Sequence, residues 1–218
     1  MKKLSICVTM LIVLLSLSVI TPSTIVSTLP SCVTIHDFMG DAIGAGFVIA
    51  PGYVVTAGHV IDGEPIVCVK LFQIEEVRIP TKVIRVPGED LVILKVDTGM
   101  CSPVRLGNSD DLEPGEEVFA VGAPFGQEES VTKGIISSYN RKTMDVDTTH
   151  YEKLLQSANT VYPGDSGGPL VNSNGQVIGI NVTAVRGGAL GFSIPISSVR
   201  DQLFECIRNS ENVKEVSH

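Results

Sequence analysis

The stretch at residues 164–170, GDSGGPL, contains the best candidate nucleophile of the chain. A serine hydroxyl is a weak nucleophile at neutral pH, so it needs a general base and also donors for the oxygen that becomes negative in the tetrahedral intermediate. Gly164 lets the backbone turn so that the amides of residues 164 and 166 point together, and the two glycines after the serine leave it uncrowded. We therefore predict Ser166 as the nucleophile and an oxyanion hole formed by Gly164, Asp165 and Ser166.

A histidine that could act as the base ends the stretch Val55-Thr56-Ala57-Gly58-His59. This stretch closes a predicted strand, where a side chain is held rigidly, and small residues precede the histidine. We predict His59 as the general base. A lone histidine is more often an ordinary core or surface residue, and that is the interpretation we give to the other three, His36, His150 and His218.

Asp90 opens the apolar run at residues 91–96 and is the predicted orienting carboxylate. At the edge of a buried strand it can accept a hydrogen bond from the imidazole, fix its tautomer and stabilise the imidazolium. Glu89 is the rival carboxylate, which we expect to point elsewhere. The order His, Asp, Ser on an all-β pattern is typical of the chymotrypsin-like arrangement. An esterase-type serine elbow is disfavoured because the residues after Ser166 do not fit a strand-to-helix turn.

Two blocks of short strand-like segments must position these residues. A polar stretch at residues 107–116 separates them, and a helix capped by Ser198 with an apolar face closes the chain. The predicted fold is all-β: two six-stranded antiparallel β-barrels with a C-terminal helix. The predicted strands are 45–50, 53–57, 65–71, 77–86 and 91–96 in the first block, and 117–121, 131–138, 154–158, 169–171, 176–184 and 191–195 in the second.

The chain resembles the protease domain of the HtrA/Deg group, a trypsin-type family with the chymotrypsin-like fold. The resemblance implies an ATP-independent serine endopeptidase that often acts on unfolded proteins outside the cytoplasm, with polypeptide substrates and with no metal or organic cofactor. A non-catalytic binding or chaperone protein on the same fold is the alternative. The stretches that carry the resemblance are 44–49, 55–60, 90–96, 120–126, 131–138, 163–181 and 191–195.

Three features depart from that family's pattern. The residues after Ser166 leave no room for the PDZ domain that usually follows. Residue 165 is Asp where the family usually has Asn, and the sequence offers no partner for its charge. The long loop near the start of the family's domain is short here, at residues 32–44, so trimerisation and the oligomeric state stay open.

The specificity pocket can be predicted only coarsely. Its expected walls are small, apolar or hydroxylated, which favours an uncharged side chain of modest size before the scissile bond. A preference for glutamate, using Thr160 and Ser193 with Arg186 as the cation, is the alternative. The predicted substrate-binding residues are Thr160, Val161, Val182, Thr183, Ala184, Gly191 and Ser193.

The first 32 residues are interpreted as a signal peptide or membrane anchor. Lys2 and Lys3 precede an apolar run at residues 4–20, which predicts export. Cleavage near Ser27 or Ser31 and retention as an anchor are both open, and lipidation at Cys32 is a weaker alternative because Pro30 fits that motif poorly. The predicted domains are 33–108 for the first barrel, 109–210 for the second barrel with its helix, and 211–218 for a tail.

Charge and cysteine content limit the other function classes. The net charge of −8 disfavours nucleic acid as a partner, and contact with a membrane is expected only through the N-terminal segment. Four cysteines lie beyond the signal and allow three pairings, so disulfides and free thiols both remain open. Their spacing contains no C-x-x-C, so zinc is not predicted.

Overall fold

The computed structural model describes residues 23–72, 74–141, 153–184 and 190–212. The helices are α1 (Ser23–Val26), α2 (Gly58–Ile61) and α3 (Ile196–Asn212), with 3₁₀ turns at Leu29–Ser31 and Pro124–Gly126. The strands are β1 (Cys32–His36), β2 (Ala42–Ala50), β3 (Tyr53–Ala57), β4 (Cys68–Leu71), β5 (Val77–Arg78), β6 (Lys82–Arg85), β7 (Leu91–Lys95), β8 (Glu117–Gly122), β9 (Ser130–Arg141), β10 (Leu154–Ser157), β11 (Pro169–Asn172), β12 (Val177–Ala184) and β13 (Gly191–Pro195).

The strands form two antiparallel units, which confirms the predicted all-β fold, its second six-stranded barrel and its C-terminal helix; the first unit differs from the predicted six-stranded barrel, because β1 was not predicted and one predicted strand is divided in two. The first unit is a seven-stranded sheet in the order β5-β4-β1-β2-β3-β7-β6, and the second is a closed six-stranded barrel in the order β10-β13-β12-β11-β8-β9. The predicted strand 77–86 is divided into β5 and β6. Pro80 lies between them and has no N–H for a strand ladder, which explains the break.

The core is continuous across the two units and the last helix. Phe47 and Ile93 in the first unit and Ile180 in the second are fully buried members of the main hydrophobic cluster. Val199, Leu203 and Ile207 of α3 join the same cluster, which confirms the predicted apolar face. The predicted cap was wrong in position: α3 begins at Ile196, and the Ser198 hydroxyl donates to the Pro195 carbonyl inside the first turn.

The sequence prediction missed strand β1. Cys32–His36 pairs with β2 on one side and β4 on the other, and a turn at residues 37–41 leads directly into β2. The segment 32–44, interpreted above as a shortened loop, is therefore mostly a central hairpin. The β-branched and apolar residues of CVTIH were a usable strand signal that the adjoining targeting segment concealed.

Residues 25–32 are packed on the protein although the sequence assigned them to the signal. Ile25 and Cys32 are buried in the main core, and the Thr28 hydroxyl donates to the Gly175 carbonyl. All four described cysteines are free thiols. No helix in the described ranges has the length and hydropathy to cross a membrane, and the apolar run at residues 4–20 lies outside them.

Candidate active site

Strand register brings His59 and Asp90 together. Ala57, the last residue of β3, pairs with Leu91, the first of β7, so the residues just beyond these ends are neighbours. The Gly58 N–H donates to the Asp90 carbonyl at 2.9 Å, and the His59 N–H donates to Asp90 Oδ1 at 2.8 Å. A Cβ at residue 58 would lie 2.6 Å from Asp90 Oδ1, so only glycine lets the helix start this close to the carboxylate.

The imidazole of His59 is held by the other carboxylate oxygen. His59 Nδ1 lies 2.5 Å from Asp90 Oδ2, and the side chains are 42% and 9% exposed, respectively. A buried carboxylate bonded to Nδ1 leaves Nε2 as the ring atom free to accept a proton. Asp90 rather than Glu89 makes this contact.

Ser166 lies in a turn that packs closely against the first sheet. The Ala45 N–H of β2 donates to the Ser166 carbonyl at 2.8 Å. Gly167 has a φ of +84°, and a Cβ there would lie 2.2 Å from Thr56 Oγ1. The Ser166 hydroxyl donates to the Val182 carbonyl over 3.4 Å. The turn therefore presents the candidate nucleophile from the barrel, whereas His59 and Asp90 belong to the other unit.

Two backbone hydrogen bonds set the direction of the N–H groups on either side of Asp165, the groups predicted to form the oxyanion hole. The Pro163 carbonyl accepts from the Phe125 N–H at 2.9 Å, and the Asp165 carbonyl accepts from the Gly168 N–H at 3.0 Å. In a trans peptide the N–H points opposite to the carbonyl of the preceding residue. These two bonds therefore direct the Gly164 N–H away from Phe125 and the Ser166 N–H away from the Gly168 N–H. Gly164 adopts this conformation with a φ of +103°.

Asp165 does not supply a third donor. Its N–H donates to the Tyr162 carbonyl at 2.9 Å and is thereby engaged inside the loop. This corrects the expectation that Asp165 belongs to the donor set. The sequence prediction assigned no role to Phe125, although the Pro-Phe-Gly triplet signals a tight turn.

Comparisons with known proteins agree with this geometry. The sequence profile of the trypsin-like peptidase domain matches residues 44–180, a range that includes His59, Asp90 and Ser166. The chain belongs to the trypsin-like peptidase family. This assignment agrees with the predicted class of enzyme, a peptidase.

The relatives of this peptidase are HtrA/Deg proteins, as its motifs indicated. A probable periplasmic serine endoprotease DegP-like of Pseudomonas savastanoi pv. phaseolicola is 41% identical over 166 residues, which are 73% of this chain and 34% of the relative. The chain thus spans about a third of the length of that relative. The putative serine protease HhoB of Synechocystis is 41% identical over 51% of this chain and 27% of its own.

Solved structures give the same result. The HtrA-type protease AlgW with a decapeptide has a TM-score of 0.76 and 27% identity, over 86% of this chain and 68% of that chain. The Rv3671c protease of M. tuberculosis H37Rv in an inactive form has a TM-score of 0.72 and 27% identity, over 88% and 96%.

The side chain of Asp165 is buried within the loop at residues 162–168, which is called the oxyanion loop below because it contains the predicted donors. Its Oδ2 accepts from the Tyr162 N–H at 2.8 Å, and it is 3% exposed. Burial raises the pKa of this carboxyl to about 6, and the hydrogen bond from Tyr162 lowers it by less. A Cβ at Gly122 would lie 2.3 Å from Asp165 Oδ1, so glycine in β8 makes room for the carboxyl.

The predicted substrate-binding residues fall into two groups. Thr183 and Ala184 of β12 pair with Phe192 and Gly191 of β13, and Val161 packs on Gly191, where a Cβ would lie 2.6 Å from the Val161 Cγ2. These residues, with Val182, are brought together.

The other two predicted pocket residues, Thr160 and Ser193, form hydrogen bonds within the protein. The buried Ser193 hydroxyl donates to Asn181 Oδ1 at 2.8 Å, and the Thr160 carbonyl accepts from Thr132. A preference for glutamate would require a free Ser193 hydroxyl, and the hydrogen bond to Asn181 engages that hydroxyl. Arg186, the cation of this alternative, lies outside the described residues.

Proposed function

We propose that this protein is an exported serine endopeptidase that cleaves polypeptides, chiefly unfolded ones, outside the cytoplasm. The observation that carries the proposal is the His59–Asp90 pair, with Nδ1 and Oδ2 2.5 Å apart, on the sheet that packs against the Ser166 turn. The relatives named periplasmic serine endoproteases support a location outside the cytoplasm. The decapeptide bound to AlgW supports a polypeptide substrate.

The proposed reaction begins when the Ser166 hydroxyl leaves the Val182 carbonyl and turns toward His59. Nε2 of His59 takes the hydroxyl proton while Oγ attacks the scissile carbonyl carbon. Asp90 stabilises the resulting imidazolium, and the N–H groups of Gly164 and Ser166 donate to the negative oxygen. His59 then gives its proton to the leaving amine, and an acyl-enzyme remains on Ser166.

Hydrolysis of the acyl-enzyme repeats these roles with water as the nucleophile. His59 takes a proton from the water, whose oxygen attacks the ester carbon, and the collapse of the second tetrahedral intermediate returns the proton to Ser166 Oγ. Every proton passes through His59, so the proposal assigns no step to a metal or an organic cofactor.

We infer that the pocket before the scissile bond accepts small uncharged side chains. Val161 is buried against Gly191 and fills the space that a long side chain would occupy. Val161→Ala should shift cleavage toward Leu or Phe relative to Val by about tenfold, the scale on which apolar pockets discriminate. Proteomic mapping of cleavage sites measures the shift, and an unchanged preference would show that Val161 does not form the pocket.

The test of the proposed activity compares the wild-type protein with Ser166→Ala. Both are incubated with unfolded casein and with a fluorophosphonate probe that labels activated serines. Wild type should label and cleave, whereas Ser166→Ala should do neither. If the folded wild type is as inert as the variant, the alternative of a non-catalytic binding or chaperone protein replaces this proposal.

A further inference from the structure

Glu128 bridges the first sheet to the segment beside the oxyanion loop. Its Oε2 lies 2.7 Å from Lys70 Nζ on β4, and its Oε1 lies 3.0 Å from His36 Nε2 on β1. The Glu128 side chain is 28% exposed, compared with 13% for His36 and 21% for Lys70. These partly buried contacts are stronger than a typical surface ion pair, because solvent screens them less.

Both partners can present positive charge to Glu128. His36 Nδ1 lies 3.0 Å from the Gly40 carbonyl, so the two ring nitrogens of His36 both face oxygen acceptors. The hydrogen bond to Glu128 is also the main cause that raises the pKa of Lys70. The other carboxylate near this ammonium, Glu75, is 3.6 Å away with a fully exposed side chain.

Glu128 lies two residues after the Pro124–Gly126 turn and is hydrogen-bonded to it. The Glu128 N–H donates to the Gly126 carbonyl at 3.1 Å, and Gln127 N–H donates to the Pro124 carbonyl at 2.9 Å. Within this turn Phe125 has a φ of +51°, a left-handed conformation that is costly for a residue with a bulky side chain. Its N–H is the donor that holds the Pro163 carbonyl and so fixes the direction of the Gly164 N–H.

The strained turn needs support from outside itself, because a left-handed non-glycine residue persists only where its surroundings hold it. One support is the contact of Phe125 with the Tyr162 ring, at a centroid distance of 4.9 Å. That contact connects the turn to the loop that contains Ser166, and it connects the turn to the first sheet only through that loop. The charged contacts of Glu128 reach the sheet independently of the loop, since His36 and Lys70 belong to two central strands of the first sheet.

We propose that Glu128 is a positioning residue for catalysis: its bonds to His36 and Lys70 fix the Pro124–Gly126 turn and thereby the direction of the Gly164 N–H. This role rests on the proposed endopeptidase function. Glu128 does not touch the substrate. It should therefore influence the chemical step and leave ground-state binding nearly unchanged.

The test uses Glu128→Gln, with Glu75→Gln as the matched control. Both changes remove a carboxylate that contacts Lys70, but only Glu128 is attached to the turn. Hydrogen exchange at the Phe125 amide is measured by NMR in the full chain carrying Ser166→Ala, which removes the proposed nucleophile. Fluorophosphonate labelling, kcat and KM are measured in the full chain with Ser166 intact, and the melting temperature of each variant reports folding.

Glu128→Gln should speed exchange at the Phe125 amide about tenfold and should lower the labelling rate and kcat about tenfold, with KM within twofold. Glu75→Gln should change none of these. Unchanged exchange would overturn the proposal whether or not the chain is a protease, and faster exchange with normal labelling would overturn the link to the oxyanion hole. Failure of the wild type to label counts against the proposed function alone, because the exchange measurement does not depend on activity.

Discussion

Asp90 holds His59 at two points. One carboxylate oxygen accepts the His59 backbone N–H at 2.8 Å, and the other lies 2.5 Å from the ring Nδ1. The backbone contact fixes the start of helix α2, and the ring contact fixes the orientation and tautomer of the imidazole. A single carboxylate therefore sets both the position of the base and its protonation pattern.

The first prediction tests this double contact with Asp90→Asn. The amide is nearly isosteric, but its NH₂ cannot accept from Nδ1–H, so the ring is held in the wrong tautomer. We expect kcat to fall by about four orders of magnitude with little change in the melting temperature. Glu89→Gln is the control and should retain activity, because that exposed neighbour does not contact the ring. A drop of less than tenfold in Asp90→Asn would contradict the assigned role.

The second prediction concerns the buried carboxyl of Asp165. Burial raises its pKa to about 6, whereas an aspartate in an unfolded chain titrates near 3.9. The folded state therefore holds this proton more tightly. The contribution of this group to stability should be complete below about pH 4, fall as the pH rises to about 6, and be absent above that value.

Asp165→Asn should remove this pH dependence, because an amide oxygen can still accept from the Tyr162 N–H and carries no charge. Near pH 8 the variant should be more stable than the wild type by on the order of 3 kcal/mol. Urea unfolding from pH 4 to 8 measures the difference. The exposed Asp201→Asn is the control and should follow the wild-type curve. Parallel curves for Asp165→Asn and the wild type would show that the carboxyl ionises without cost.

The third prediction separates close packing from backbone strain at Gly167. Its φ is +84°, and a Cβ would lie 2.2 Å from Thr56 Oγ1 and 2.3 Å from the Ala45 carbonyl. Gly40 has a similar φ of +92° but open space around it. Gly40→Ala should cost about 1–2 kcal/mol of unfolding free energy from strain alone. Gly167→Ala should cost about 2–3 kcal/mol more, because the turn and the sheet must separate. Equal losses of unfolding free energy in the two variants would show that the turn does not pack closely against the sheet.

Much of this architecture could be predicted because local chemistry demands it. The Gly-rich turn at Ser166, the strand end before His59 and the apolar run after Asp90 are each short sequence patterns with one dominant structural reading. Strand pairing then brings the pieces together, as the register of Ala57 with Leu91 shows. The register itself could not be derived from sequence, because it depends on which strands become neighbours.

The missed features share a different cause. Strand β1 was hidden by the adjoining apolar segment, since composition alone does not mark where a targeting sequence ends and a core strand begins. The contacts of Glu128 with His36 and Lys70 join residues 92 and 58 positions apart in sequence, and no local pattern reports such pairs. The sequence prediction found no partner for the Asp165 carboxyl because its hydrogen-bond donor is a backbone group, the N–H of Tyr162. The space for the carboxyl exists because Gly122 has no side chain.

The last prediction concerns the segment before β1. Ile25 lies in the main core, the Thr28 hydroxyl donates to the Gly175 carbonyl, and the Ser31 hydroxyl donates to the Ser102 carbonyl at 2.7 Å. Processing after Ser31 would remove all three contacts and leave Cys32, which is 1% exposed, at a new amino terminus. We therefore propose that any cleavage of the exported protein occurs before Ile25, and that residues 25–32 belong to the folded domain.

Two chains test this proposal, one beginning at Ser23 and one at Cys32. Each lost hydrogen bond costs about 1 kcal/mol and the buried Ile25 side chain about 2 kcal/mol, so the shorter chain should unfold in urea with a free energy lower by several kcal/mol. A third chain that begins at Ser23 and carries Ile25→Ala should fall between them, because it retains the two hydroxyl contacts. Equal stability of the Ser23 and Cys32 chains would contradict the proposal and assign residues 25–31 to the targeting segment, and mass spectrometry of the mature protein would then place its amino terminus at Cys32.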